Sequence, residues 1–221
     1  MSAFYRDAHN HLTIDGLLLD GLMAEFGSPL YVYSGAGLER AFTAFQAAVT
    51  PVAGKVHFAL KANSALGVVS LLASCGAGAD IVSAGELARA LAAGIAAKDV
   101  VFSGVGKSTA DIRTALAAGI GQINAESAEE VAQIRAIAAA MDVVAPVALR
   151  VNVDVDAGTH AKISTGQRST KFGISTDQRE AASLYASIDS NPHAKPMGLA
   201  VHIGSQICDL APFELAYTEL L

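Results

Sequence analysis

From Val56 onward the chain alternates between short apolar runs rich in branched residues and alanine-rich runs of helical period. Strands are predicted over Val56–Lys61, Ala79–Ser83, Val100–Val105, Gln122–Asn124, Val147–Val153 and Leu199–Ile203. Helices are predicted over Gly37–Val49, Leu66–Ser74, Ala84–Ala93, Thr109–Ala118, Ala128–Ala140 and Thr176–Ser187. Ser64, Ser83, Ser108, Ser127 and Ser175 stand where helix N-caps are expected, and Gly76, Gly94 and Gly119 where helices stop. Ser127 to Glu130 reads as a capping box. Strands and helices in alternation with short loops call for a parallel sheet. The first strands start at roughly equal steps, which favours a (β/α)8 barrel of like units over an open doubly wound sheet.

The rest of the sequence narrows the classes. Of 221 residues, 52% are hydrophobic and 16% charged, enough apolar material for a sizeable core. A net charge of −6 without lysine and arginine runs argues against a nucleic-acid partner. Cys75 and Cys208 are the only cysteines, which fits a reducing compartment and offers no zinc motif. Met1 to Asp20 lacks the basic start and apolar core of a signal peptide, and Ile134 to Val153 is interrupted by Arg135, Asp142, Pro146 and Arg150, so no membrane span is expected. The cytoplasm is the expected location. One polar stretch, Asp154 to Gly173, has no periodicity and follows a strand end, where barrels keep their chemistry.

Alternation along the strands picks out candidate site residues. His57, Ala59 and Lys61 share one face, with Val56, Phe58 and Leu60 on the other. Ala148, Arg150 and Asn152 oppose Val147, Leu149, Val151 and Val153; Gly198, Ala200, His202 and Gly204 oppose Leu199, Val201 and Ile203. Three strands thus carry small residues inward and end in a Lys, an Arg or a His. A barrel interior is ordinarily filled by bulky branched side chains. Small ones leave room for a flat ligand. A lysine at the end of a buried strand suits Schiff-base chemistry with an aldehyde cofactor, and equally a lysine snorkelling to solvent. His202 also reads as a core histidine, Asp80 as a turn cap, and Arg150 as a partner of Asp154 or Asp156. Gly204-Ser205 offers amides and a hydroxyl to a phosphate. Gly104 to Ser108 is not a Walker loop, because Val101 stands where its first glycine belongs.

Six ordered segments carry a resemblance. They are Phe58 to Asn63 with Gly78 to Leu87, Phe102 to Lys107, Ile123 to Ser127, Leu149 to Asn152 through Thr159-His160, Ser164 to Ile174, and His202 to Gln206. Together the chain resembles the alanine-racemase-like, fold type III pyridoxal-phosphate barrels, and among them the diaminopimelate decarboxylases. The resemblance implies pyridoxal 5'-phosphate as cofactor and decarboxylation of meso-2,6-diaminoheptanedioate to L-lysine. The alternatives are a related ornithine, arginine or carboxynorspermidine decarboxylase, or a non-catalytic truncated homologue. It implies that Lys61 holds the cofactor covalently and returns a proton to substrate, that His202 stacks on the ring, and that Ser205 binds the phosphate. Asp80 and Arg150 are placed in the polar shell around the cofactor. Lys61 and His202 are the expected catalytic residues, with no metal.

The same resemblance sets the expected organisation. About six of eight barrel strands are legible, so the fold class is α/β, an incomplete TIM-type barrel. Residues 1–33 are expected to belong to a second, β domain, with a strand around His11–Leu19, and residues 34–221 to be the partial barrel. The family's glycine-rich phosphate loop and its Glu-Pro-Gly-Arg segment are not in this sequence. The chain is therefore expected to be the N-terminal half of a member, inactive alone. A full-length form is expected to be a homodimer with a small amino acid substrate.

Overall fold

The structure, a computed structural model, describes residues 3–153, 155, 173–174, 178–205 and 207–220. The chain begins with three short antiparallel strands, β1 (Phe4–Arg6), β2 (Leu12–Ile14) and β3 (Leu17–Leu18), followed by helix α1 (Leu19–Phe26). One strand is expected there from the sequence; Asn10, Asp15 and Gly16 at positive φ make the tight turns that allow three. Helix α2 (Gly35–Val49) comes next, capped by Ser34, whose Oγ accepts from the Gly37 amide at 2.8 Å and donates to Asp15 Oδ1 at 2.7 Å. That serine ties the N-terminal sheet to the following unit.

Six βα-type units follow. The strands are β4 (His57–Ala59), β5 (Gly78–Ile81), β6 (Val100–Phe102), β7 (Gln122–Ala125), β8 (Ala145–Arg150) and β9 (Ala194–Ala200). The helices are α3 (Leu66–Ser74), α4 (Ala84–Ala92), α5 (Thr109–Ala118), α6 (Ala128–Met141), α7 (Gln178–Asp189) and α8 (Ala211–Leu220). All six strands lie parallel in sequence order, and β4 and β9 each pair with one neighbour among the described residues. The expected partial barrel is therefore present as a six-stranded parallel α/β sheet, without closure.

Alternation decides the two faces. Ala79, Ile81, Val100, Phe102, Ile123, Ala125, Val147 and Leu149 point to the helices and form one core with Val69, Leu87, Ile112, Ile134 and Ile188. The opposite face carries Ala59, Asp80, Val101 and Gln122 in one register row, and Asn124, Ala148 and Gly198 in another. Leu60 is fully buried in the outer core, and Phe58 packs against it.

The structure moves several predicted boundaries. Ser83, Ser108 and Ser127 cap α4, α5 and α6 through their hydroxyls. The N-cap of α3 is Ala65 and not Ser64, because Asn63 Oδ1 accepts from the Ala65 amide and sets the turn one residue later. The complete capping box is Ser108 with Asp111; at Ser127 the serine half forms, but Glu130 turns its carboxylate to Lys107 and the Glu126 amide. Strand β9 covers Ala194–Ala200 rather than Leu199–Ile203. Lys195, Pro196 and Gly198 break the apolar pattern, yet pairing with β8 holds them extended at the edge. The predicted loop from Asp154 to Gly173 and the Ser175 cap lie, apart from residues 155 and 173, outside the described residues. Gly173 sits at φ 77°, and a Cβ there would meet Asn152 Oδ1 at 3.0 Å and Arg150 O at 3.2 Å, so glycine lets the chain return against the end of β8. Among the described residues no helix is long and apolar enough to cross a membrane.

Leu149 is wholly buried between β8 and the helices, whereas its register partner Leu199 is 47% exposed. Leu149→Ala is expected to destabilise the chain by about 2–5 kcal/mol. Leu199→Ala is expected to cost much less, and urea unfolding of the two variants measures the difference.

Candidate active site

A parallel sheet brings all its strand C-termini to one side, and the candidate residues collect there. Lys61 lies in the turn after β4: the Leu60 amide still bonds to Asp80 O at 2.9 Å, but the Ala62 amide turns back to Ala59 O at 3.1 Å. The expected buried strand end is thus not what the structure holds. The strand stops at Ala59, and Lys61 is exposed beside the open inner face. Arg89 supports this turn, donating from Nη1 to Ser64 O at 3.1 Å.

Asp80 is a mid-strand residue of β5 facing inward, not a turn cap. Ser103 Oγ donates to its Oδ1, Asn124 Nδ2 donates to Ser103 Oγ at 3.0 Å, and Gln122 Nε2 donates to Asn124 Oδ1 at 2.7 Å. A hydrogen-bonded ladder thus lines the inner face from β7 to β5. Burial pushes the Asp80 carboxyl above its usual range, while the Ser103 hydrogen bond and the nearby Lys61, His57 and Arg150 charges pull it back.

Arg150 closes β8 and is buried. Its Nη1 donates to Glu126 Oε1 at 2.8 Å, so its partner is Glu126. Asp154 and Asp156, the partners considered from sequence, are outside the described residues. Glu126 Oε2 is buried and has no hydrogen-bond partner among the described residues. His202 follows β9, half-buried, with its imidazole held below the ordinary value by burial and then by the Arg150 and Lys61 charges; Glu126 works the other way. Ser205 sits on an exposed bend three residues on.

The electrostatics show which candidates are neighbours. Asp80 senses Lys61 and Arg150, and His202 senses Arg150, Lys61 and Glu126. Lys61 and Arg150 act on both Asp80 and His202, which brings these four to one region of the inner face. The region has room: a Cβ on Gly198 would meet nothing within 4 Å, and Ala59, Ala148 and Ala200 are the neighbouring inward residues. A flat cofactor with an aldehyde, a ring and a phosphate fits this set of an exposed amine, a neutral imidazole, an open small-residue floor and a hydroxyl.

Sequence reasoning missed Glu126, Ser103, Asn124 and Lys107. The alternation test on Gln122-Ile123-Asn124 places Gln122 and Asn124 inward and was the signal available for the ladder. Nothing local marks the Glu126–Arg150 pair, which joins residues 24 apart. The Lys107 amine is buried with carbonyl and carboxylate partners, which agrees with rejecting a phosphate loop at Gly104 to Ser108.

A depressed histidine is less protonated in the folded state than in the unfolded one. Its contribution to stability is thus present above about pH 6.5 and lost as pH falls through the folded value. His202→Asn is expected to flatten the loss of stability between pH 7 and 5, read by urea midpoints. Asp80 has the opposite sign: its raised value makes stability fall as pH rises from about 3.8 through the folded value. Asp80→Asn is expected to gain stability relative to wild type over that climb. A constant difference across pH would contradict the assignment.

Comparison with known proteins supplies the remaining observation. A family model described as pyridoxal-dependent decarboxylase, pyridoxal binding domain, matches residues 36–221. Diaminopimelate decarboxylase of Pseudomonas aeruginosa is 48% identical over 217 residues, covering 98% of this chain and 51% of that protein. The crystal structure of diaminopimelate decarboxylase from Helicobacter pylori complexed with L-lysine is similar at TM-score 0.86 and 38% identity, over 90% of this chain and 50% of that one. The diaminopimelate decarboxylase from M. jannaschii in co-complex with L-lysine gives TM-score 0.90 at 31% identity, over 99% and 52%. The chain spans about half the length of these relatives.

Proposed function

Since the chain belongs to the pyridoxal-dependent decarboxylases through their pyridoxal binding domain, we propose that it is the cofactor-holding part of a decarboxylase that converts meso-2,6-diaminoheptanedioate to L-lysine and carbon dioxide. The observation that carries this reading is the meeting of Lys61, Asp80, Arg150 and His202 around one small-floored region at the strand C-termini. The relatives named above support the substrate.

In this reading Lys61 Nζ is the amine that holds pyridoxal phosphate, and its exposed turn leaves it free to swing aside for a substrate amine. When bound, the cofactor supplies a conjugated electron sink for the charge left as carbon dioxide departs. Lys61 Nζ then returns a proton to the substrate carbon. His202, neutral near pH 7 because burial and two cations disfavour its charged form, offers an uncharged ring to stack on. Ser205 Oγ and the Gly204 amide would hold the phosphate. Asp80 and Arg150 set the charge around the ring, with Arg150 held in place by Glu126.

Residues 1–33 are assigned to a second, β-rich domain, which their separate antiparallel sheet supports. A full-length form is taken to act as a cytoplasmic homodimer. The 221-residue chain alone is expected to be inactive, because β4 and β9 each pair with one neighbour among the described residues and the chain spans about half of its relatives.

Incubation with pyridoxal phosphate, borohydride reduction and peptide mapping test the site directly. The label is expected on Lys61 and absent in Lys61→Ala. Label elsewhere in a folded protein sinks the reading. On a full-length form, competition between diaminoheptanedioate and ornithine or arginine checks the substrate, and preference for either of the latter would replace it with a related decarboxylase.

A further inference from the structure

Lys107 plays no part in the reaction outlined above, yet its side chain is only 1% exposed. Its ammonium donates to Gly104 O at 2.6 Å, to Asn124 O at 2.7 Å and to Glu130 Oε1 at 3.1 Å. Those three bonds use every proton an ammonium has. Gly104 at φ 90° and Gly106 at φ 73° let the loop after β6 double back so that the amine can reach Gly104 O. The amine also stands 5.6 Å from the centre of the Phe102 ring. A buried cation is costly, and one explanation for keeping it is the geometry it enforces.

That geometry leads to the site. Glu130 uses its second oxygen, Oε2, to accept the Glu126 amide at 2.7 Å. Glu126 Oε1 in turn takes Arg150 Nη1 at 2.8 Å. Lys107 thus clamps the loop after β6, the end of β7 and the first turn of α6, and residue 126 leaves that clamp with its carboxylate on Arg150. The side chains of Glu126 and Arg150 are 5% and 10% exposed, so solvent does little to loosen the pair.

We propose that Lys107 is a positioning residue: with Glu130 it braces Glu126, and through Glu126 it sets the Arg150 guanidinium beside the cofactor. The proposal rests on the functional reading above, because that reading gives Arg150 its place around the ring. His202 provides an independent reporter. Its titration responds to Arg150, Lys61 and Glu126. A change at 107 that moves Arg150 or Glu126 therefore registers at His202.

The test uses the 221-residue chain, with Lys107→Met, and Lys107→Met combined with Glu130→Leu. Replacing both members of a buried ion pair by apolar residues of similar size is often neutral for stability, so the double variant keeps the test open if the single one does not fold. Imidazole NMR follows the His202 midpoint, and titration with pyridoxal phosphate followed by borohydride trapping follows its affinity. The expected result is a folded variant whose His202 midpoint is displaced and whose affinity for pyridoxal phosphate falls about tenfold or more. A folded double variant with both values at wild type overturns the proposal. Failure of both variants to fold also overturns it, since Lys107 would then serve the fold itself. Wild type that takes no label on Lys61 defeats the decarboxylase reading alone, because the NMR midpoint still decides whether the brace acts.

Discussion

Everything at the candidate site depends on the parallel pairing that runs in sequence order from β4 to β9, with one register shift between Val147 and Ala148. Register fixes side-chain direction, since a slip of one residue would turn every inward group toward the helices. The outer face enforces it: Ile81, Phe102, Ile123, Val147 and Leu149 fit only one way into the layer of helices. The inward row is then set without further choice, and Asp80, Asn124 and Arg150 are carried to places that hydrophobic burial alone would never select. The polar ladder and the Glu126–Arg150 pair meet the cost of that placement by giving the buried groups partners.

Two ways of holding charge divide the site. Lys61 stands in a turn open to solvent, while Arg150 is locked by a buried carboxylate. The exposed partner is the one assigned covalent chemistry, and the locked one is assigned the shaping of the field around it. His202 feels both charges, and its burial together with them holds the imidazole below its ordinary value. A cationic imidazole there would repel both.

The sequence made the period of the fold legible, because alternation and helical spacing are local properties. Leu66–Ser74 and Thr109–Ala118 are predicted to the residue. Leu149 and Val147 were assignable to the outer face because neighbouring residues alternate cleanly. Where two local signals compete, sequence is a poorer guide: Asn63 rather than Ser64 controls the start of α3, and Glu130 abandons its capping box for a buried lysine. The start of β9 was hidden because its extension is imposed by β8 across the sheet, not by Lys195-Pro196. Of the candidate residues, those at strand ends could be read from alternation. Their charged partners could not, because Glu126 meets Arg150 only after two strands have paired.

The sequential order of the sheet has a kinetic side. Each strand from β5 onward pairs with the one immediately before it in the chain, and among the described residues none pairs with a more distant strand of that sheet. Contacts of short sequence separation make for fast folding, since each step closes only a modest loop. A growing chain can therefore add one strand and one helix at a time to a surface already formed, and the clamp at Lys107 can close as soon as α6 has its first turn, before Arg150 has been added to the sheet.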